Sequence, residues 1–148
     1  MITKKAKYAM KALVYLSRKK KGEHALISEI SEVENIPKKF LEAILLDLRK
    51  AGYLGSKKGK GGGYYLAKDA AAISMADIVR HFEGAIALLP CVSQLHYEPC
   101  EGCEDEATCG IREVFKLIWE QSVATLKENT FAEVVRKENK LRKKNPPN

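Results

Sequence analysis

Apolar positions recur at three- and four-residue steps over residues 3–19, where Ala6, Ala9, Met10, Leu13 and Leu16 form one stripe. That period predicts an amphipathic helix, with Thr3 as its cap and Gly22 as its stop. A short second helix is expected over 27–34. Asn35 tolerates the left-handed conformation of a tight turn, and Pro37 suits the first turn of a further helix. That third helix, 37–51, carries Phe40, Leu41, Ile44, Leu45 and Leu48 on its apolar face and closes at Gly52. Two helices joined by so short a turn form a helix-turn-helix or an ordinary helical hairpin. The pattern alone leaves both open.

The period then shortens. YLGSK and GYYLA, within residues 53–67, are β-rich runs around a tip of Gly and Lys, which predicts a hairpin with a long flexible turn. Gly59, Gly61, Gly62 and Gly63 do not lie between a strand and a following helix, so a dinucleotide-binding loop fails its context. A basic hairpin directly after a helix-turn-helix is a winged helix. Its tip lysines, Lys57, Lys58 and Lys60, would reach phosphates or a minor groove. Helical period returns at 74–83, with Ser74 and Asp77 as a capping pair. The longest helix is expected at 109–129, where Ile111, Val114, Ile118, Ser122 and Leu126 make a seam beside Phe115 and Trp119. A helix that overhangs so small a domain calls for a partner helix. Thr130 and Glu133 cap a last helix, TFAEVVRKE, and the tail LRKKNPPN reads as frayed.

Residues 91–109 have no apolar period and read as a loop, yet they hold all four cysteines: Cys91, Cys100, Cys103 and Cys109. Four thiolates can close a tetrahedral metal site or hold an iron–sulfur cluster. Chance would rarely crowd every cysteine into one loop. A disulfide pair or unligated thiols are the plainer alternatives. His96 lies in the same loop and is a further possible ligand, although four thiolates already suffice. His81 reads as structural and His24 as solvated.

Charge sharpens the picture. The net charge is +7, with a balance of +9 over residues 1–60 and −2 over the remainder. A positive half facing a neutral-to-acidic one suits a polyanion such as double-stranded DNA. Glu98, Glu101, Glu104, Asp105 and Glu106 crowd the cysteine loop, which is therefore no phosphate-binding surface. The apolar fraction of 45% supports a packed core. No apolar run is long enough to span a membrane and the N-terminus lacks a secretory pattern, so a cytoplasmic location with reduced thiols is expected.

Four stretches together resemble the Rrf2 winged-helix regulators, a family that includes the iron–sulfur regulator IscR and the nitric-oxide sensor NsrR. They are KYAMKAL in the first helix, FLEAILLDLRKAGYL in the third, GKGGGYYLAKDAAAI in the wing and TFAEVV after the long helix. The resemblance implies a homodimer crossed through the long helices, a pseudo-palindromic operator and a cluster near the dimer interface. It implies that Glu42 reads bases and that Lys58 enters a minor groove. Lys38 and Lys39, beside Glu42 at the start of the third helix, complete the DNA-contacting set with Lys57 and Lys60. Family members use three cysteines spaced C-x5-C-x5-C. Cys103 and Cys109 match the last two, Cys91 matches the first across a longer gap, and Cys100 is additional. The place of the fourth ligand in IscR, a histidine, is Arg112 here, and the acidic first-helix ligand of NsrR has no counterpart near Tyr8.

The expected fold class is mainly α with a small β-hairpin wing: a winged helix-turn-helix plus a long dimerisation helix. The expected divisions are a DNA-binding domain at 1–83, a cysteine loop at 84–110, and the dimerisation and C-terminal helices at 111–148. The expected function is a transcriptional regulator, not an enzyme, that senses iron–sulfur status, redox or nitric oxide. Cys91, Cys100, Cys103 and Cys109 would hold an iron–sulfur cluster, of 2Fe–2S type ahead of 4Fe–4S. A structural zinc is the alternative. A small redox protein built on Cys100 and Cys103 would need a βαβ pattern that the chain lacks.

Overall fold

The computed structural model describes residues 2–148. Six helices and one hairpin follow in the order α1 (Lys4–Ser17), α2 (Ile27–Glu34), α3 (Lys38–Lys50), β1 (Leu54–Lys57), β2 (Gly63–Leu66), α4 (Met75–Glu83), α5 (Gly110–Glu128) and α6 (Phe131–Lys144). The fold is the mainly helical, winged architecture read from the periodicity.

Helix α1 is the central strut. Ala6, Ala9 and Ala12 are fully buried on one side of it, and these small side chains admit α3, α4 and α6 closely against it. The Thr3 hydroxyl accepts the Ala6 N–H at 3.2 Å, so the helix starts where its cap requires. It ends at Ser17, five residues before Gly22, which instead shapes the later turn with φ 87°. Met10 is only half-buried, at the margin of the stripe.

The helix-turn-helix is as tight as its residues allow. Asn35 takes φ 52° and ψ 54°, the left-handed conformation that ends α2. Pro37 stands just ahead of α3, and Gly52, with φ 83°, follows it. Leu41, Ile44, Leu45 and Leu48 are buried to 1% exposure or less. Phe40 departs from expectation at 44% exposure. It lies off the centre of the stripe and packs edge-on against Tyr8, with ring centroids 5.7 Å apart.

Strands β1 and β2 pair antiparallel, Leu54 opposite Leu66 and Lys57 opposite Gly63. Ala25 adds an isolated bridge to Tyr64, through N–H···O bonds of 2.8 Å in both directions. This ties the α1–α2 connection to the wing. The approach explains Gly63: a Cβ there would come 2.4 Å from the Ala25 carbonyl oxygen. A Cβ on Gly62 would meet the Lys57 carbonyl at 2.1 Å. These glycines serve close backbone contact as much as flexibility.

The C-terminal helix returns to the core around α1. Phe131, its first residue, is fully buried in the core with Ile73 and Leu13, and its N–H donates to Ile73 O at 3.0 Å. Ser74 and Asp77 form the expected capping box on α4, and Thr130 caps α6 by accepting the Glu133 N–H at 3.3 Å. Helix α6 runs on to Lys144, so LRKK is helical rather than frayed. Lysine and arginine are good helix formers and suit a helix C-terminus. Among the described residues, no helix is long and apolar enough to cross a membrane.

Candidate nucleic-acid interface and cysteine loop

The start of α2, the outer face of α3 and the wing enclose an open groove of about 480 Å³. Lys38, Glu42, Lys57 and Lys58 all line it. Lys39 and Lys60 are exposed but lie outside that lining. The groove also gathers Ser28, Arg49, Ser56 and Tyr64. Arg49 follows Glu42 by seven residues, two helical turns, and so shares its face. Its guanidinium donates to Ser56 Oγ at 2.9 Å, bracing α3 against β1. The helical period was a usable signal for Arg49. For Ser28 and Ser56 the sequence carried no signal beyond position. The arrangement presents cations around one carboxylate, which offers both phosphate contacts and a hydrogen-bond acceptor for a cytosine amino group.

Behind α3, Asp47 accepts from Lys5 Nζ at 3.0 Å and faces His81 Nε2 at 3.0 Å. The Lys5 contact, and after it His81, holds the Asp47 carboxyl below its ordinary range despite partial burial. His81 is thus structural, joining α4 to α3. His24 is half-buried rather than solvated, edge-on to Tyr65 with centroids 4.9 Å apart.

The cysteine segment contains two 3-10 turns, Pro90–Val92 and Glu106–Thr108. All four cysteines are free thiols. Cys91 is 4% exposed. Burial, with the neighbouring Cys100 thiol, holds its thiol above the usual value. Cys100 and Cys103 are exposed on one turn, closed by the Cys103 N–H to the Cys100 carbonyl at 3.2 Å. Cys109 caps α5, its Sγ accepting the Arg112 N–H at 3.4 Å. His96 is exposed, with its N–H bonded to Ser93 Oγ. Among the described residues, no three Cys, His, Asp or Glu side chains gather as a metal site. The donors have the right chemistry for iron or zinc, and Cys91 and Cys100 already lie side by side.

Arg112 is the residue that sequence reasoning undervalued. Its Nε donates to the Cys91 carbonyl at 3.2 Å and lies 3.5 Å from Glu106. It binds both ends of the cysteine segment to the first turn of α5.

Residues 2–137 match the family described as "Rrf2: Iron-dependent Transcriptional regulator". A helix-turn-helix transcriptional regulator of Rhodobacter capsulatus, described as rrf2-like, is 48% identical over 123 residues, 80% of this chain and 82% of that protein. The structure of CymR, the global cysteine regulator of B. subtilis, superposes with a TM-score of 0.76 at 27% identity, covering 92% of this chain and 96% of that one. T. potens IscR superposes with a TM-score of 0.74 at 21% identity, covering 96% and 90%.

Proposed function

The chain belongs to the Rrf2 family of transcriptional regulators, and from that premise we propose that it reads a pseudo-palindromic DNA operator as a homodimer and reports iron–sulfur, redox or nitric-oxide status through its cysteine loop. The observation that carries the DNA reading is the groove where Lys38, Glu42, Lys57 and Lys58 converge with Arg49. Lysines from the wing would hold phosphates or a minor groove. Glu42 would accept from a base edge in the major groove. Such a partner would be met in the cytoplasm.

Cys91, Cys100, Cys103 and Cys109 would hold the cluster, which when bound supplies one-electron redox chemistry. Support comes from the four free thiols in one segment and from the placement of Cys91 beside Cys100. The chain's own residues carry the loop's state onward. Arg112 joins the Cys91 carbonyl to α5. Helix α5 packs on α4, α4 on α1 and α1 on α3. A loop that orders or releases therefore shifts the base on which the reading helix rests, which is how a distant site changes operator affinity.

Anaerobic purification with counted iron and sulfide, together with an absorbance spectrum, tests the cluster. A brown, oxygen-sensitive protein is expected, and each of the four Cys→Ala variants should lose or destabilise the chromophore. A colourless protein with stoichiometric zinc would replace the sensing role by a structural one. A full cluster in Cys100→Ala would remove that residue from the ligand set.

A further inference from the structure

Where α4, the connection after it and α5 meet, a cavity of about 260 Å³ opens. Its walls include Arg80 from α4, Ala85 and Ile86, Ser93 and Gln94 from the loop, and Trp119 from α5. It lies apart from the DNA groove and shares no residue with it.

Arg80 is the unusual member. Arg18, Arg49, Arg112 and Arg136 meet Glu138, Ser56, Glu106 and Glu133 respectively, and Arg142 is exposed near the end of α6. The Arg80 side chain is half-buried and has no ion-pair or hydrogen-bond partner among the described residues. A guanidinium stays charged and presents donors in a planar fork that matches a carboxylate. At the edge of the cavity its donors are left free to meet an anion that enters. Ser93 is only 6% exposed, and its Oγ already accepts the His96 N–H at 3.0 Å, which leaves its own hydrogen to donate. Gln94 adds an amide. The rest of the lining, Ala85, Ile86, Leu95 and Trp119, is mainly apolar.

We propose that this cavity binds a small organic acid, its carboxylate on Arg80, Ser93 and Gln94 and its short aliphatic chain against Ile86 and Trp119. The cavity is smaller than sites for drug-sized ligands, which run from about 300 Å³ upward, so the chain must be short. The site joins the reading domain to the cysteine loop and to α5.

Trp119 is the single tryptophan of the chain, so its emission reports occupancy without DNA or iron. The probes are valerate and, as a chain-matched control lacking the carboxylate, pentylamine. Titrating valerate into the full chain should give a saturable shift in Trp119 emission, and pentylamine should give none. Arg80→Gln should weaken valerate binding by about tenfold or more, since a bidentate charged contact is lost. Ala85→Leu fills the cavity while keeping Arg80, and should weaken it equally. The proposal is overturned if valerate gives no saturable shift, or if pentylamine matches it. Undiminished binding in Arg80→Gln or Ala85→Leu overturns it too, and would leave Arg80 serving only the C-terminus of α4. None of these readings depends on operator binding or on a cluster, so this site and the proposed regulator stand or fall separately.

Discussion

Glu42 brings a negative charge into a groove otherwise lined by Lys38, Arg49, Lys57 and Lys58. A carboxylate there repels the phosphate backbone and gains only where a cytosine amino group meets it. Glu42→Ala is therefore expected to relax sequence preference more than it lowers overall affinity, as read from binding to operator and to scrambled DNA. A uniform loss on both would make Glu42 structural. Lys58→Ala should weaken binding to every sequence and reduce the salt slope by about one. Unchanged affinity and slope would remove the wing from the interface. A third residue concerns stability rather than recognition. Asp47, held by Lys5 and then His81, has its carboxyl pulled below the ordinary value of 3.8. A depressed folded value stabilises above the unfolded value, and that stability is lost as pH falls through the folded one. The pair is partly exposed, so its worth is no more than about 0.5 kcal/mol. Asp47→Asn should lower stability by that amount at neutral pH and by less in acid, measured by urea unfolding at both. At this scale the caps were legible: Thr3, Ser74 with Asp77, and Thr130 stand where cap chemistry puts them, because a cap needs only its own turn. Phe40 was not legible, since a helical period marks the centre of a stripe better than its edge.

Helix α6 shows what an element owes to the whole. Most of it is charged and half of its length projects into solvent, yet Phe131 is fully buried in the core with Leu13 and Ile73. Phe131→Ala should destabilise the chain by about 3–5 kcal/mol through the cavity it leaves, seen as a lower unfolding midpoint in urea. A loss under 1 kcal/mol would mean that α6 is merely laid against the surface. The hairpin makes the converse point. Gly63 sits at φ 138° with the Ala25 carbonyl where a side chain would go. Gly63→Ala should detach the wing from the α1–α2 connection and weaken DNA binding while the helices persist by circular dichroism. The bounds of α2 and the turn at Asn35 could be read residue by residue, because Asn, Pro and Gly impose local backbone conformations. The end of α6 could not, because a run of Lys and Arg is compatible with helix and with frayed tail alike. Gly63 was visible as a glycine, but its reason, the Ala25 backbone 38 residues upstream, is a tertiary fact.

The molecule as a whole leaves one surface unfinished. Of the 19 residues in α5 only Val123 is buried, while Ile111, Val114, Leu117 and Ile118 are 68%, 55%, 52% and 41% exposed. The apolar seam expected from the sequence thus divides: Leu126, Phe115 and Trp119 turn partly inward, and the first two turns and their neighbours face out. Such a division lies beyond periodicity, which counts apolar positions without saying which neighbour covers them. The same holds for the cysteines, whose spacing announces four donors but not that Cys91 is buried while Cys100 and Cys103 are exposed. The homodimer proposed above would cover this exposed stripe with the same helix of a second copy, packed isologously. A two-fold dimer then presents two reading heads to two half-sites. Replacing Leu117 and Ile118 together by Glu should give a monomer at micromolar concentration in sedimentation. It should also abolish the preference for a full operator over a half-site. Thermal stability of the single chain should change little, because neither residue is buried within it. Persistence of the dimer in the double variant would move the interface elsewhere on the chain. A monomer that still prefers the full operator would break the link between this helix and the pairing of the reading heads.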